Sequence, residues 1–567
     1  MQSLIRKVRH VLDDPVLRRW LLRRMAGLEK PPAAFVEGQP PYLSSHAAAV
    51  ESSGPSADGF PAGKCAPPQT PISINLPGRT VELAPDDAHV LFDQSYDDLE
   101  TLLAAHRFAW VPAAGPSIDA DWVAALWRIW ADRFGTESSG WAWHAYTAAE
   151  RAINIIDYSC RFGLPEDRGE TANLLAKHAE IIRRNLEYFG DHYTSNHLSN
   201  NGRGLMRIGT ALGLAEYAET GARIMVAEAG RIFGRSGMLR EGSTHYQLLV
   251  TRNYIDAWLD ARAAGLDQGG MLRDIAERAV AVIPGLVLPG GMPLIGDISP
   301  DVPPSYLAAL VGEGGPAIWP ANLPQDHQQD ALKLIGGTSS MSPDKLAQDG
   351  WHRFGAQDWQ ALAFVSPDGW PPMPGHGHED LGSFELHDGA TRVIVDPGRG
   401  TYANSDDERA QAHSGILIDG RGPMPVNRAY YSVSYRNRVI PECPEMTRSR
   451  NGGVLKYAGS GYGRQVDTIE RSWVFTQKSV EISDRIEGRG RHRISQRFIV
   501  PGTAEVIENC AMISIGEKRY EISGTVPATS APFTVWEAYG CGDGATAITF
   551  DQAVTLPFEG KIKIDQL

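Results

Sequence analysis

The chain has 567 residues, of which 42% are hydrophobic and 22% are charged, and its formal net charge at pH 7 is −14. This length exceeds what one hydrophobic core usually supports, so we expect two large domains. The acidic balance disfavours a nucleic-acid or membrane-surface partner, because phosphate binding requires a basic surface. No apolar segment approaches the length of a transmembrane helix, so no integral membrane segment is predicted.

The first 80 residues are predicted to stand apart from the two large domains. Residues 1–30 carry arginine and lysine throughout, which predicts an amphipathic basic helix packed on the protein or on a partner. Residues 45–73 are rich in proline, glycine, serine and alanine and predict a linker or an irregular surface segment. The basic segment lacks the uninterrupted apolar core of a secretory signal. Cytoplasmic residence is therefore expected, with a periplasmic or exported location as the alternative.

The five cysteines are scattered along the chain and form no CxxC pair. This spacing indicates reduced thiols and disfavours both a disulfide framework and a cysteine-based zinc site.

A helical pattern runs from about residue 95 to residue 285, with apolar residues recurring every three or four positions. Short connections between successive helices predict antiparallel neighbours, which close as a solenoid or a toroid. The predicted helices lie near residues 119–134, 141–162, 171–189, 203–218, 220–234, 245–264 and 271–284.

After about residue 340 the apolar period changes from 3.6 to 2, which predicts an all-β domain. Asp388-Gly389 between two apolar runs is a hairpin signal, and many short strands without intervening helices indicate an antiparallel sandwich. We therefore assign a helical domain to residues 81–340 and a β-sandwich domain to residues 341–567. The strands are expected around residues 393–395, 416–418, 472–475, 480–482 and 497–500.

A histidine-rich element, Gly375-His376-Gly377-His378, opens the most informative segment of the β-domain. It is predicted to begin a strand, on which residues two apart project to the same face. Both imidazoles would then reach one site, one holding a metal while the other handles a proton. His378, Asp396 and His413 form a ligand set that suits zinc. His387 lies an odd number of residues from His378 and is expected to face the other way.

Two further elements of the helical domain carry candidate chemistry. Asn196-His197 opens a polar stretch before a predicted helix, and an amide there can donate a hydrogen bond to a carboxylate and withdraw charge from it. The alternative is that Ser195 or Asn196 simply caps the helix. Tyr246 follows Glu241 in an E-x-S-x-x-Y element, and a tyrosine can act as acid or base. The alternative for Tyr246 is a half-buried helix tyrosine.

Read together, these elements resemble the heparinase II/III-like polysaccharide lyases. The resemblance covers roughly residues 95–500, and its most specific part is the segment around the two glycine-flanked histidines. The matching residues, in the order of the family, are Trp143, His144, Tyr146, Glu150 and Arg151; Asn196, His197 and Asn201; Glu241, Ser243 and Tyr246; Gly375 to Leu386; and Asp396, Pro397, Gly398, Tyr402, Arg409, His413, Asp419 and Gly420.

The resemblance implies an incomplete (α/α) toroid followed by an antiparallel β-sandwich, with the active site in the cleft between them. The implied reaction is β-elimination at a 1,4-linked uronic acid of an anionic polysaccharide or oligosaccharide. Asn196, with His197, would neutralise the uronate carboxylate. Tyr246 would be the base, the acid or both, with His376 opposite it and Tyr402 as an additional acid.

The resemblance also implies a structural zinc ion, because some members of the family bind one through residues that correspond to His378, Asp396 and His413. No organic cofactor is implied.

Five further residues are predicted to contact the substrate: Asn201, Arg203, His245, Gln247 and Arg409. The two arginines belong to a set near the motifs that indicates a local basic patch for an anionic substrate. Heparinase-III-type members often have histidine directly after the motif tyrosine, whereas this chain has Gln247. Specificity for heparin or heparan is therefore not implied, and other uronates remain open.

Two other functions compete with a lyase. A glycoside hydrolase on an (α/α) toroid needs two carboxylates across the scissile bond, and Glu379 and Asp380 are available. A non-catalytic glycan-binding protein of exopolysaccharide production would retain the scaffold alone. The sequence also leaves the oligomeric state open, with a homodimer among the candidates.

Overall fold

The structure is a computed structural model. It describes residues 11, 14–29, 38–43, 54–63, 66–190, 195–312, 317–370, 375–403, 406–425, 428 and 430–567. Among these residues, no helix is long and apolar enough to cross a membrane.

The first two thirds of the described chain are mainly helical. Several helices begin at an aspartate or serine whose side chain accepts a backbone N–H of the first turn, as Asp119, Ser195 and Ser243 do. The helices are Pro15–Met25, Val90–Asp93, Leu99–Arg107, Trp110–Ala114, Ala120–Phe134, Ala145–Phe162, Arg168–Arg184, Asn196–Leu212, Ala215–Ile232, Thr244–Ala263, Gly269–Ala281, Ile283–Leu286, Ile318–Asn322, Gln325–Gly337, Pro343–Gln348 and Val433–Val439.

All seven predicted helices are present, but their bounds differ in one place that matters. The fourth helix begins at Asn196 rather than near residue 203, so the polar stretch lies inside its first turns and not before it. Ser195 supplies the cap, because its hydroxyl oxygen accepts the N–H of His197 at 3.3 Å. Asn196 is therefore not the N-cap, which was the alternative role that the sequence allowed for it.

The helical core is rich in aromatic side chains around one buried cation. Trp127 and Trp130 stack with their ring centroids 5.7 Å apart, and the guanidinium of Arg151 lies 3.7 Å from the centroid of Trp130. Burial lowers the pKa of Arg151, which also donates to His178 Nε2 at 2.8 Å. The tryptophans of this region therefore build the toroid and do not form a sugar-binding surface.

The last third of the chain forms antiparallel sheets. A separate hairpin of Ile72–Leu76 and Arg79–Leu83 lies between the helix Pro15–Met25 and the helices that follow. The eight-stranded sheet has the order Ala504–Ile507, Cys510–Ile515, Lys518–Gly524, Phe558–Gln566, Ser479–Gly488, Val466–Phe475, Gly452–Ala458 and Glu445–Ser449. One four-stranded sheet has the order Ala528–Ala538, Cys541–Thr555, Arg491–Pro501 and Ile416–Ile418. The other has the order Trp351–Ala356, Trp359–Phe364, Glu385–Asp388 and Thr391–Ile394.

One hydrophobic core holds these three sheets together. It takes Trp359 and Leu386 from one four-stranded sheet, Phe498 from the other, and Trp473 and Ile482 from the eight-stranded sheet. The predicted succession of an (α/α) toroid and an antiparallel β-sandwich is thereby confirmed. The predicted hairpin at Asp388-Gly389 is also present.

The N-terminal segments differ from the prediction in part. The helix Pro15–Met25 packs on the β-domain as expected, with Trp20 against Tyr431. The described parts of the predicted linker are not a free excursion, since Phe60 is buried in the helical core and its carbonyl accepts from Arg168 at 3.0 Å. Residues 44–53, 64 and 65 of that segment lie outside the described residues.

Direct contacts join the two domains beside the cleft. Asp98 caps the helix Leu99–Arg107, and its carboxylate accepts the hydroxyl of Tyr539 from the β-domain at 2.8 Å. Tyr539 in turn accepts the backbone N–H of Tyr402 at 2.8 Å. The loop that carries Tyr402 is thus fixed to the rim of the toroid.

Candidate active site

Two helix starts and two loops of the β-domain meet in the cleft. Asn196 is the first residue of one helix, and Tyr246 is the third residue of another. His376 and His378 lie in a loop, because the strand that follows them begins only at Glu385. The prediction that they sit on a strand is wrong, since the two glycines and a turn at residues 381–382 interrupt the extended backbone. They nevertheless reach one common carboxylate.

That carboxylate is Asp297, which lies in a loop of the helical domain. Its Oδ2 is 3.1 Å from His376 Nδ1, and its Oδ1 is 2.9 Å from His378 Nε2. Burial opposes the charge of Asp297, but its hydrogen bonds to the two histidines outweigh burial and lower its pKa. Arg399 NH1 lies 3.5 Å from the same Oδ1.

The aromatic side chains of the cleft pack on His376. The rings of Tyr246 and His376 are stacked, with centroids 3.5 Å apart and an interplanar angle of 12°. The hydroxyl groups of Tyr246 and Tyr402 are 3.0 Å apart. Burial, and then the charge of Asp301, raises the pKa of Tyr246 well above its usual value, so the phenol is neutral in the free protein.

A second carboxylate, Glu187, organises the opposite wall of the cleft. His197 Nδ1 is 2.8 Å and His144 Nε2 is 3.6 Å from Glu187 Oε1, while Asn201 donates to Oε2 at 3.0 Å. Burial would raise the pKa of Glu187, but His197 outweighs it and lowers the pKa to about 2. Burial likewise opposes the charge of His197, but Glu187 outweighs it and raises the pKa of the imidazole.

Glu241 joins the two walls. Its Oε1 accepts the backbone N–H of Asn196 at 2.9 Å, and its Oε2 lies 3.3 Å from His376 Nε2. The second contact is within ion-pair distance but lacks hydrogen-bond geometry, so Oε2 has no hydrogen-bond partner among the described residues. The side-chain oxygen of Asn196 is also buried without such a partner. Unpaired buried polar atoms are costly and mark places where a ligand can supply the missing bond.

Next to the cleft lies a group of side chains that can hold a metal ion. His378, Asp396 and His413 each offer one ligand atom, and these atoms lie within 4.8 Å of one another. His378 Nδ1 and His413 Nε2 are buried and have no hydrogen-bond partner in the part of the chain that the structure describes. Two imidazole nitrogens and one carboxylate oxygen are a donor set that zinc accepts. Asp297 supports His378 on its other nitrogen, as carboxylates commonly do behind metal-binding histidines.

Comparisons with known proteins bear on the fold that holds this site. Residues 340–529 match a family model described as "Heparinase II/III-like, C-terminal". The chain carries a heparinase II/III-like domain. A search of curated proteins gives no match.

The likeness to solved structures covers both domains of the chain and concerns the fold. The chain is similar to a crystal structure of heparinase III, at 15% identity and a TM-score of 0.59, over 84% of this chain and 79% of that one. It is also similar to heparan sulfate lyase HepC from Pedobacter heparinus, at 15% identity and a TM-score of 0.52, over 84% of this chain and 78% of that one. The matched domain belongs to the family that the sequence motifs indicated, and the shared fold agrees with the predicted toroid and sandwich.

Two residues predicted to contact the substrate, Arg203 and Gln247, lie inside the scaffold. Arg203 is buried and donates to Glu150 at 3.0 Å, so it is not available to a substrate. Gln247 is fully buried, and its amide oxygen accepts the N–H of Leu239 at 2.6 Å. Gln247 is therefore a scaffold residue and is not available to a substrate.

The other predicted contacts act through neighbours or remain open to solvent. Asn201 is buried and pairs with Glu187, so it orients the carboxylate that holds His197. His245 is buried and accepts the N–H of Ser299 at 3.0 Å, and burial lowers its pKa to about 3. Arg409 keeps 34% of its side chain exposed and stays a predicted substrate contact. His387 Nε2 lies 3.2 Å from Glu385 Oε1, and its Nδ1 accepts the N–H of Gly290 at 3.0 Å.

Sequence reasoning missed three acidic residues of the site. Asp297 and Glu187 were not predicted at all, and Asp301, which accepts the hydroxyl of Tyr146 at 2.6 Å, was also missed. Asp297 and Asp301 are remote in sequence from the histidine and the tyrosine that they hold, whereas Glu187 lies ten residues before His197. The one available signal was Asp297 itself, an isolated acid in the apolar, glycine-rich stretch of residues 288–298.

Proposed function

We propose that this chain is a polysaccharide lyase that cleaves a uronic-acid-containing polysaccharide or oligosaccharide by β-elimination. The observation that carries the proposal is the pair of contacts made by Glu241. One carboxylate touches both Asn196, on the wall assigned to the uronate, and His376, on the wall assigned to proton transfer. The groups that elimination needs therefore converge on one small volume.

The uronate carboxylate is assigned to Asn196 and His197. The side-chain amide of Asn196 offers N–H donors to a carboxylate, and His197 keeps 42% of its side chain exposed. The raised pKa of His197 favours an imidazolium that can meet an anion. Withdrawing charge from the carboxylate acidifies the neighbouring C5–H, which is the proton lost in the reaction.

Proton transfer is assigned to Tyr246 and His376, which lie in ring contact. His376 takes the C5 proton, the electrons of the C5–H bond form the C4–C5 double bond, and the C4–O bond breaks with its electrons moving to the leaving oxygen. Tyr246, or Tyr402 beside it, supplies the proton for that oxygen, since burial favours the neutral form of both phenols. The proton held by His376 then passes to the resulting phenolate, which restores both groups. No water is consumed, and the products together have the atoms of the substrate.

We further propose that the metal is zinc, held by His378, Asp396 and His413. When bound, zinc would supply a fixed positive charge that orders the loops beneath the cleft. The reaction itself needs no metal-activated water, so the ion is assigned a structural role.

The test is an assay for the unsaturated uronate that elimination leaves, which absorbs in the ultraviolet. Purified protein is incubated with a panel of uronate polymers, with Tyr246→Phe protein as the matched blank. Time-dependent absorbance with the wild type alone supports the lyase. New reducing ends without that absorbance would indicate a hydrolase, and binding without either would indicate a glycan-binding protein.

Glu379 and Asp380, the two carboxylates considered for a glycoside hydrolase, give that alternative little support. Asp380 is buried, and its pKa of about 6 reflects burial first and then His413 and Asp396, which places it beside the metal group. Burial also raises the pKa of Glu379 to about 7, with Arg409 opposing it. Hydrolysis requires two carboxylates that face each other across the scissile bond, and the neighbours of these two acids are instead those of the metal group and of Arg409.

A further inference from the structure

Asp297 occupies the junction between the proton-transfer group and the metal group. It is 5% exposed and uses both carboxylate oxygens, Oδ2 for His376 Nδ1 at 3.1 Å and Oδ1 for His378 Nε2 at 2.9 Å. The two histidines are only two residues apart, but their rings meet this carboxylate through different nitrogens. That difference sets which nitrogen of each ring is free.

A neutral imidazole carries one proton, and the nitrogen that donates leaves the other one as an acceptor. His376 donates from Nδ1, so its Nε2 faces the cleft and Glu241, 3.3 Å away. His378 donates from Nε2, so its Nδ1 is free for a metal, and it is indeed buried without a partner among the described side chains. One carboxylate thus gives two neighbouring histidines opposite orientations.

The main chain of Asp297 reinforces this arrangement. The backbone N–H of Asp297 donates to the carbonyl of His376 at 2.8 Å. Asp297 and His376 are therefore joined by two hydrogen bonds, one from the main chain and one from the side chain of Asp297. Its carbonyl accepts the hydroxyl of Ser243 at 2.7 Å, and Ser243 Oγ accepts the N–H of Tyr246 at 3.1 Å. The same residue therefore supports the first turn of the helix that carries Tyr246.

The approach of this loop to the histidine loop depends on Gly296. Its φ is +82°, and a Cβ atom there would lie 2.7 Å from the carbonyl oxygens of both Gly242 and His376. Any other residue would push the two loops apart. The backbone is thus built to bring Asp297 against the two histidines.

We propose that Asp297 is a positioning residue that orients His376 for proton transfer and His378 for metal binding at the same time. The first half of this inference rests on the proposed lyase function, and the second half does not. A carboxylate that fixes the orientation of a catalytic imidazole, and one that supports a metal-binding imidazole, are each known devices. Here a single side chain does both, which couples metal affinity to turnover.

The decisive variant is Asp297→Asn, which keeps the shape of the side chain but replaces one acceptor oxygen with a donor. It can accept from one imidazole and not from both. We expect zinc affinity, measured by competition with a chromophoric chelator, to fall about 10- to 100-fold. We expect kcat to fall about 100-fold or more, with KM changed less than about twofold, because substrate contacts are untouched.

Glu408→Gln is the matched control. Glu408 accepts from Arg399 at 3.0 Å, the same arginine that lies 3.5 Å from Asp297, and it is 36% exposed. The Glu408→Gln variant should keep both its zinc affinity and its kcat within about twofold of the wild-type values. Equal losses in both variants would assign the effect to Arg399 and overturn the proposal. Retention of wild-type zinc affinity and kcat by Asp297→Asn would overturn it as well.

A measurement on the wild type covers the case in which Asp297→Asn does not fold. Nitrogen NMR of histidine-labelled protein, assigned with His376→Ala and His378→Ala, reports which ring nitrogens carry protons. Protons on His376 Nδ1 and His378 Nε2 support the proposal, and the reverse pattern contradicts it. Because zinc affinity and NMR need no substrate, an inactive wild type would refute the lyase function while these readouts still decide the role of Asp297.

Discussion

Two carboxylates each hold two histidines in this cleft, and they do so in contrasting ways. Asp297 contacts His376 and His378, whose side chains are 16% and 1% exposed. Glu187 contacts His197 and His144, whose side chains are 42% and 39% exposed. The first cluster spans the two domains, whereas the second lies wholly within the helical domain.

In the proposed lyase, the contrast separates two tasks of one reaction. Proton transfer needs groups of fixed geometry, which burial and a shared carboxylate provide at Asp297. Holding a substrate carboxylate needs a cation that the substrate can reach, which the partly exposed His197 provides at Glu187. Variants on each side should therefore fail in different ways, and the predictions run from the largest expected effect to the smallest.

On the buried side, Tyr246→Phe should remove nearly all turnover while folding and substrate affinity remain. Loss of an acid–base group costs about two to four orders of magnitude in rate. The matched control is Tyr254→Phe in the same helix, whose hydroxyl bonds Met225 O at 2.8 Å and lies away from the cleft. It should cost about 1 kcal/mol of stability and no rate. More than a tenth of wild-type activity in Tyr246→Phe would exclude that role.

On the wall assigned to the uronate, Asn196→Ala should also abolish elimination. The expected loss of transition-state stabilisation is about 3–4 kcal/mol, by analogy with oxyanion-hole donors. The control is Ser195→Ala, which removes the helix cap and should cost about 1 kcal/mol of stability with little change in rate. Melting temperature and rate are measured on the same samples. A drop in stability without a drop in rate for Asn196→Ala would return this residue to a structural role.

The metal prediction asks whether the two histidines of the buried cluster have separate roles. Elemental analysis should find about one zinc per chain, and chelation should lower stability by about 2.7 kcal/mol where free zinc was a hundred times its Kd. His378→Ala should mimic chelation, whereas His376→Ala should stop turnover while zinc stays bound. If protein purified without chelator contains no zinc, the zinc assignment is refuted, and His378, Asp396 and His413 form a hydrogen-bonded polar cluster.

The smallest expected effect is the pH dependence of the Glu187 pair. The pKa of Glu187 falls from 4.5 to about 2, so its stabilisation is full above pH 4.5 and is lost as the pH falls toward 2. The pKa of His197 is raised from 6.5, so its stabilisation is full below pH 6.5 and is lost as the pH rises through the folded value. The free energy of unfolding of the wild type should therefore exceed that of Glu187→Gln most between pH 4.5 and 6.5, by about 1–3 kcal/mol.

Melting curves across that pH range check the difference. Glu180→Gln, an exposed glutamate paired with Arg184, serves as the control and should show no such maximum. A stability difference that does not vary with pH would show that Glu187 acts by packing alone.

Periodicity in the sequence was enough to predict a helical domain followed by a β-domain, since the change from a helical to a strand period near residue 340 matches the helix Pro343–Gln348 and the first sandwich strand, Trp351–Ala356. The choice of a toroid over a solenoid came from the family resemblance. Periodicity failed where local chemistry overrides the pattern. The Asn196 helix begins early because Ser195 caps it, and the loop of His376 is not extended because glycines flank both histidines.

The site was predictable only in part, for a physical reason. Residues close in sequence or in a motif, such as His376 and His378, were found together. Asp297 was not, because it lies 79 residues from His376 along the chain, and only the packing of the two domains brings them together. Arg203 and Gln247 were placed in the site on sequence proximity alone, whereas their helices turn them toward the interior.

The most direct test of the central claim is the mass of the products from one defined uronate oligosaccharide. Elimination consumes no water, so the masses of the two fragments should sum to the mass of the substrate, and one fragment should absorb in the ultraviolet. The account predicts this result for wild type and no cleavage for Tyr246→Phe. Fragments whose masses sum to the substrate plus one water would contradict it and show hydrolysis.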